Sequence, residues 1–225
     1  MRFSSLRSRS SRRRHRPGWR LAVIAAALGG LAAQSAEPPK PKPPQLAPAA
    51  GRYLVATDRI ASGLFSQTVV FLVDYSEDGA MGLIVNRPTE TPMEGLVPGA
   101  QQGQVYLGGP ISQRYLMTLF SADAPPEKSK HITGNVFLTS DEATLRAIAE
   151  SPDASARLRV YAGYAGWWPG QLDDEIERGQ WIVARAPTDA IFDAAPESLW
   201  EKFHRRFHQV VTQRREAATG SAPAL

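Results

Sequence analysis

Two histidines lie four residues apart near the end of the chain, a spacing that brings both imidazoles to one side of a helix. His204 and His208 could share a metal ion, and Glu197 and Glu201 fall on the same helical face. Such ligands would suit a metal-dependent hydrolase. However, Arg205 stands where the zinc-protease pattern has its glutamate base. The solvated polar face of an amphipathic helix is the simpler interpretation, and the sequence predicts no metal and no cofactor.

Four carboxylates cluster a little earlier, at Asp173, Asp174, Glu175 and Glu177. They contain candidates for a paired acid and base. Because acidic side chains in a first helical turn are stabilised by the helix dipole, catalysis is not needed to explain them. The chain has no Cys, and the motifs of serine hydrolases and nucleotide-binding loops are absent from it. We therefore expect a protein that is not an enzyme and has no catalytic residues.

Two adjacent tryptophans lie in a glycine-rich stretch, Gly163–Gly170. No Lys follows that would meet a phosphate, so a nucleotide cradle is not indicated. The glycines predict a loop that brings main chain close to Trp167. Either Trp167 or Trp168 would serve as an apolar anchor for a ligand, beside the amide of Gln171.

The elements that must position these residues alternate without a regular βαβ order. An apolar strand over residues 68–75, a turn at 76–79 and a returning strand over residues 80–86 predict a β-hairpin, its first strand buried on both faces. Further strands are predicted over residues 52–57, 105–107, 115–120, 136–138, 158–162 and 181–185, and a polar loop over residues 121–133. Helices are predicted over residues 141–150, 170–178 and from Pro196 onward, the first with Thr139 and Glu142 as a capping box. This mixture indicates an α+β fold with a mixed sheet.

Charge is distributed unevenly along the chain. The net charge is +4, of which the first 50 residues contribute +9 and the remaining 175 residues −5. Surfaces that bind nucleic acid need clustered Lys and Arg. The acidic remainder therefore argues against direct nucleic-acid binding.

Residues 1–36 have the pattern of a signal peptide. Eight Arg precede the apolar run Leu21–Ala33, and small residues before Ala36 suit a signal peptidase, so a periplasmic protein is predicted. In one alternative, Leu21–Ala33 attaches the chain to the inner membrane as an anchor. In the other, the segment is an Arg-rich tail on a cytoplasmic protein. Residues 37–50 are proline-rich and predict an extended linker, and residues 213–225 predict a disordered tail.

Seven segments of the chain carry a resemblance in their sequence and their order. They are Gly51–Ala56, Phe65–Val70, Gly79–Pro88, Leu107–Ile111, Gly163–Trp167, Pro169–Leu172 and Ile191–Asp193, the last ahead of Trp200. Together they resemble the YqgE/AlgH family of bacterial proteins. The resemblance implies a single α+β domain over residues 51–212, with a central mixed, partly barrel-like sheet surrounded by helices. The family takes its name from a proposed role in regulating alginate synthesis, and the resemblance implies no reaction or ligand.

The residues shared with that family are mostly glycines that serve turns and close packing, together with polar residues that either stabilise loops or line a groove. Candidate binding residues are Asn86, Arg87, Gly108, Gly109, Tyr164, Trp167, Trp168 and Gln171. Trp168 departs from the small residue usual in the family. The sequence favours a non-enzymatic binding or regulatory module for an unidentified small molecule or protein. A cytoplasmic transcriptional regulator and a metal-dependent hydrolase are the alternatives.

Overall fold

Ten strands form one mixed sheet that curls into a half-barrel. The computed structural model describes residues 46–97, 99–100, 102–124, 126–151, 158–193 and 195–207. The predicted signal peptide, most of the linker and the predicted tail lie outside the described residues. The strands are β1 (Tyr53–Ala56), β2 (Val69–Ser76), β3 (Gly79–Ile84), β4 (Pro88–Pro92), β5 (Gln104–Leu107), β6 (Ile111–Ser121), β7 (Lys130–Thr133), β8 (Val136–Thr139), β9 (Leu158–Trp167) and β10 (Trp181–Ala184).

The long strand β9 organises the sheet. The main path runs β10-β1-β2-β3-β9-β6-β8-β7, so β9 lies between β3 and β6. On its β3 side it also pairs with β5, which pairs in turn with β4. The β5–β9 pairing is parallel, and every other pairing between described strands is antiparallel. The predicted mixed sheet is therefore confirmed.

Helices are few and short. Within the described residues there are α1 (Glu142–Ala149), α2 (Gln171–Glu177), the 3-10 turns Thr188–Phe192 and Pro196–Ser198, and a helical segment over residues 199–207. The expectation of a sheet surrounded by helices overstated the helices, because the sheet dominates and curls into a half-barrel with only a few helices beside it. None of the helices among the described residues is long and apolar enough to cross a membrane.

The strand β2 is buried on both faces, as its continuous apolar run predicted. Val69, Phe71 and Val73 belong to an inner core with Tyr53, whereas Val70 and Leu72 belong to an outer core with Leu54. Adjacent side chains on a strand point to opposite faces, which explains why odd and even positions separate into two cores. The C-terminal helical segment docks on the inner core through Leu199, which is 2% exposed.

The predicted hairpin is confirmed, and two predicted loops need correction. β2 and β3 pair through Ser76 and Gly79, with Gly79 at a φ of 128°. The polar stretch 121–133 ends in a strand, β7, which pairs with β8. The glycine-rich residues 163–167 are the second half of β9 and not a loop, because their main chain pairs with both β3 and β6.

The first helix begins one step later than the sequence suggested. Asp141 is the N-cap of α1, and its carboxylate accepts a hydrogen bond from the Thr144 N–H at 3.0 Å. The predicted capping box from Thr139 to Glu142 is wrong, because Thr139 is the last residue of β8 and its hydroxyl donates to the Lys128 carbonyl at 2.8 Å. Both residue types cap helices well. Only the tertiary pairing of β8 decides between them.

The cap predicts a pH dependence of stability. Hydrogen bonds from the Thr144 N–H and from Lys128 lower the pKa of Asp141. A carboxyl whose pKa is lower in the folded state stabilises fully above its unfolded pKa, about 3.9, and loses that effect as the pH falls through the folded pKa. We expect Asp141→Ala to lower the thermal midpoint by a few degrees at neutral pH, and the difference from wild type to shrink under acid conditions.

The control for this experiment is Asp141→Asn, which keeps an oxygen acceptor for the Thr144 N–H but does not ionise. Thermal unfolding curves recorded from neutral to acid pH should show that this variant keeps most of the stability that the cap contributes. They should also show less acid sensitivity than in wild type. Equal acid sensitivity in all three proteins would contradict the assignment.

Candidate functional site

Asn86 and Arg87 fasten the loop that precedes β2. Asn86 is 2% exposed, accepts a hydrogen bond from the Val69 N–H at 2.8 Å and donates to the Gln67 carbonyl at 2.9 Å. The Arg87 guanidinium donates to the Ser66 carbonyl at 2.6 Å. Gln67 has a φ of 53°, a left-handed conformation that is unfavourable without such support. Both side chains thus stabilise a loop, which is one of the two roles considered for the polar residues.

Gly108 and Gly109 allow two main-chain segments to cross closely. A Cβ on Gly108 would collide with the carbonyl of Gly163, and a Cβ on Gly109 would collide with the main chain of Tyr164. The Gly108 N–H also donates to the Ala162 carbonyl at 2.9 Å. Tyr164 is partly buried against the inner core. These residues position β5 and β6 against β9.

The Glu175 carboxylate connects the end of β9, the start of α2 and the start of β10. One of its oxygens accepts from the indole N–H of Trp167 at 2.9 Å and from that of Trp181 at 2.8 Å. Its other oxygen accepts from the side-chain amide of Gln171 at 2.8 Å. The helix dipole is sufficient to explain acidic residues in the first turn of α2. For Glu175 that explanation is incomplete, although the i,i+4 spacing from Gln171 was a readable signal.

Three aromatic rings meet beside this carboxylate, and two of them donate to it. Trp167 and Trp181 meet edge to face with ring centroids 6.1 Å apart, and Phe65 lies 5.9 Å from Trp181. Trp167 is 7% exposed and Trp181 is 1% exposed, so both indoles are anchored in the outer core. Phe65 sits in the loop that Asn86 and Arg87 hold. The predicted binding residues on the two sides are thus linked through Phe65.

Trp168, the residue after the buried Trp167, is exposed to solvent. Its side chain is 81% exposed, more than any other large apolar side chain among the described residues. Its backbone is nevertheless fixed, because its N–H donates to the Gln171 side-chain oxygen at 3.1 Å and its carbonyl accepts from the Gln171 N–H at 3.0 Å. We call residues Trp167–Gly170, which connect β9 to α2, the tryptophan turn. The turn presents one indole to solvent on a rigid support.

The remaining carboxylates of α2 have separate partners. Asp173 accepts from the Tyr75 hydroxyl at 2.8 Å, and burial together with this bond raises the pKa of Tyr75. Asp174 pairs with Arg178 at 3.1 Å, one turn along the helix. These contacts set the two carboxylates in different environments and do not face them toward each other as an acid and a base.

The histidine pair is described only in part, because His208 lies outside the described residues. The His204 ring stacks on Trp200 with centroids 4.5 Å apart, and its Nε2 lies 3.5 Å from an Asp58 oxygen. Glu201 pairs instead with Arg205 at 3.7 Å. Across the described residues, no three His, Asp or Glu side chains are grouped so that they could hold a metal ion.

Comparison with known proteins identifies the family to which this sequence is similar. Residues 53–211 match the sequence model of a family described as AlgH-like. A UPF0301 protein of Methylococcus capsulatus is 36% identical over 173 residues, which cover 72% of this chain and 94% of the relative. A UPF0301 protein of Streptomyces avermitilis is 35% identical over 167 residues, covering 69% of this chain and 85% of the relative.

Two solved structures resemble the fold. A crystal structure of a Corynebacterium diphtheriae protein aligns with a TM-score of 0.62 at 25% identity, covering 72% of this chain and 89% of that one. The solution structure of the AlgH protein from Pseudomonas aeruginosa aligns with a TM-score of 0.57 at 26% identity, covering 81% of this chain and all of that one. The names of these proteins state no reaction or ligand.

Proposed function

The chain belongs to the AlgH-like family, and from that premise we propose that it is a non-enzymatic binding module whose tryptophan turn recognises a basic segment of a partner protein. The observation that carries the proposal is the exposure of Trp168 on an immobilised backbone. Trp is among the residues most enriched at binding hot spots, where a large aromatic side chain enters a pocket of the partner.

Preorganisation supports the proposal. A side chain already held in its bound geometry loses less conformational entropy on association. The buried neighbour Trp167 and the double hydrogen bond to Gln171 restrict the backbone of Trp168. The β2–β3 hairpin packs closely against the tryptophan turn, since a Cβ on Gly79 would touch main-chain atoms of both tryptophans. The indole is thus presented by the folded core.

Charge around the turn specifies the chemistry of the partner. Glu77 and Asp78 occupy the exposed hairpin turn next to Gly79, and Asp173 lies in the first turn of α2 beside Asp174, whose charge is balanced by Arg178. An electron-rich indole face within an acidic surface attracts Lys and Arg through cation–π and Coulomb interactions. A basic segment with an apolar contact therefore fits this surface better than an acidic partner does.

We expect Trp168→Ala to weaken partner binding by at least about tenfold, as for a hot-spot residue. Its effect on the free energy of unfolding should stay within about 0.5 kcal/mol, because the side chain is exposed. Affinity capture from native cells, quantified for wild type and variant baits, identifies proteins that depend on Trp168. The affinity of a purified candidate is then measured directly at low and at high salt.

The matched control is Leu96→Ala, which removes another exposed apolar side chain, 51% exposed, from a different segment. A partner that is lost from Trp168→Ala and kept by Leu96→Ala, with weaker binding at high salt, supports the proposal. Equal capture by all three baits contradicts it. A small molecule that competes at the turn would contradict the assignment to a protein partner.

The other functions drawn from the sequence have less support. A transcriptional regulator that contacts DNA would need a basic recognition surface, whereas the chain beyond residue 50 has a net charge of −5. A hydrolase built on the last helix would need Glu201 free, and that carboxylate pairs with Arg205. Export to the periplasm stays a prediction from residues 1–36.

A further inference from the structure

A large cleft opens beside the C-terminal helical segment, next to the inner core and away from the tryptophan turn. Its volume is about 940 Å³, near the upper end of the range for ligand pockets. Its walls come from the segment after β10, the 3-10 turns and residues 199–207. The apolar lining includes Leu46, Ala186, Ala190, Phe192, Leu199, Phe203 and Phe207.

Two cations at the cleft have no protein partner among the described residues. Arg185 and Arg206 both line it and are exposed, and neither forms an ion pair or hydrogen bond with another described residue. Lys202 also lines the cleft, but it is neutralised by Asp193 at 2.8 Å. Asp189 is the remaining acidic lining residue. The charge left over after pairing is therefore positive.

The lining is held in place by the fold beneath it. The Tyr53 hydroxyl donates to the Pro187 carbonyl at 3.1 Å, and the Arg159 guanidinium donates to the Phe192 carbonyl at 3.2 Å. The Phe203 ring packs against the Tyr53 ring with centroids 5.4 Å apart. The apolar wall and the rim are thus tied to β1 and β9.

We propose that this cleft binds a small organic anion with an apolar tail. The guanidinium groups of Arg185 and Arg206 would hold the anionic head, since Arg presents planar paired donors that match a carboxylate or phosphate. Phe203 and Phe207 would cover the tail, whose burial supplies most of the affinity. The site is independent of the tryptophan turn, so either proposal can fail without the other.

The test is calorimetric titration of the full chain with decanoate below its micelle concentration, beside decyl phosphate and the uncharged decanol. We expect decanoate or decyl phosphate to bind at least about tenfold more tightly than decanol, and Arg206→Gln to weaken that binding by about tenfold. The tighter of the two anions identifies the head group. Arg185→Gln should act in the same direction.

The matched control is Arg205→Gln, which removes the neighbouring cation that pairs with Glu201 and is not part of the cleft lining. Its affinity for the anion should stay within about twofold of wild type. The proposal is overturned if neither anion binds, if decanol binds equally well, or if the Arg205 and Arg206 variants lose affinity alike. Thermal unfolding of each variant confirms that the fold is intact, as expected for exposed side chains.

Discussion

Gly109→Ala is expected to destabilise the fold by more than about 3 kcal/mol, a large fraction of the roughly 5–15 kcal/mol by which a folded domain is typically stable. The added methyl group would overlap the main chain of Tyr164 and Ala165 in the central strand β9. Main chain within a hydrogen-bonded sheet cannot rotate away as a side chain can. The strain would therefore separate β9 from the segment between β5 and β6.

The control for this glycine is Gly166→Ala, on the same strand. There the nearest atom to an added Cβ is Cδ1 of Ile111, at 2.9 Å, the flexible end of a side chain that is 38% exposed. We expect this variant to stay within about 1 kcal/mol of wild type. Urea unfolding of both variants measures the two free energies of unfolding. Two equally stable variants would show that the main chain at Gly109 is less tightly packed against β9 than the structure indicates.

Glu175→Ala is expected to cost about 3–5 kcal/mol of stability, since three N–H donors lose their acceptor at once. Two of these donors belong to the buried indoles of Trp167 and Trp181. An unsatisfied buried donor costs about 1–3 kcal/mol, and the cavity left by the side chain adds to that. We also expect the tryptophan fluorescence of the folded protein to change, because both indoles lose the carboxylate beside them.

Asp174→Ala is the matched comparison on the same helix. Its ion pair with Arg178 is exposed at both ends, and such pairs contribute less than about 1 kcal/mol. Chemical denaturation monitored by fluorescence should therefore separate the two variants clearly. If Glu175→Ala unfolds at the same denaturant concentration as Asp174→Ala, then the carboxylate does not organise the tryptophan turn.

The local sequence pattern was sufficient to predict those elements of the fold that depend on residues close together in the sequence. The unbroken apolar run of β2 indicated burial on both faces, and the turn ending at Gly79 indicated the hairpin. Helix α2 was equally readable, because acidic residues begin it and Gly179 follows it. The structure confirms each of these features.

Distant contacts decided what local pattern could not. The glycines at 163 and 166 indicated a loop, but the sheet requires glycine at 163 because the segment around Gly109 crosses there. The sequence predicted Thr139 as the helix cap, but Thr139 belongs to β8 and Asp141 caps α1 instead. Glu175 could not be identified as the acceptor of two indoles, since Trp167 and Trp181 reach it from two different strands.

The exposed indole gives the account its most direct test. A photo-crosslinking amino acid placed at position 168 of the full chain, and separately at position 96, is activated in native cells, and the products are analysed by mass spectrometry. The proposal predicts a discrete protein adduct from position 168 that is absent from position 96, with the crosslink in a Lys- or Arg-rich segment. The same adducts from both positions, or none from position 168, would contradict a binding role for the tryptophan turn.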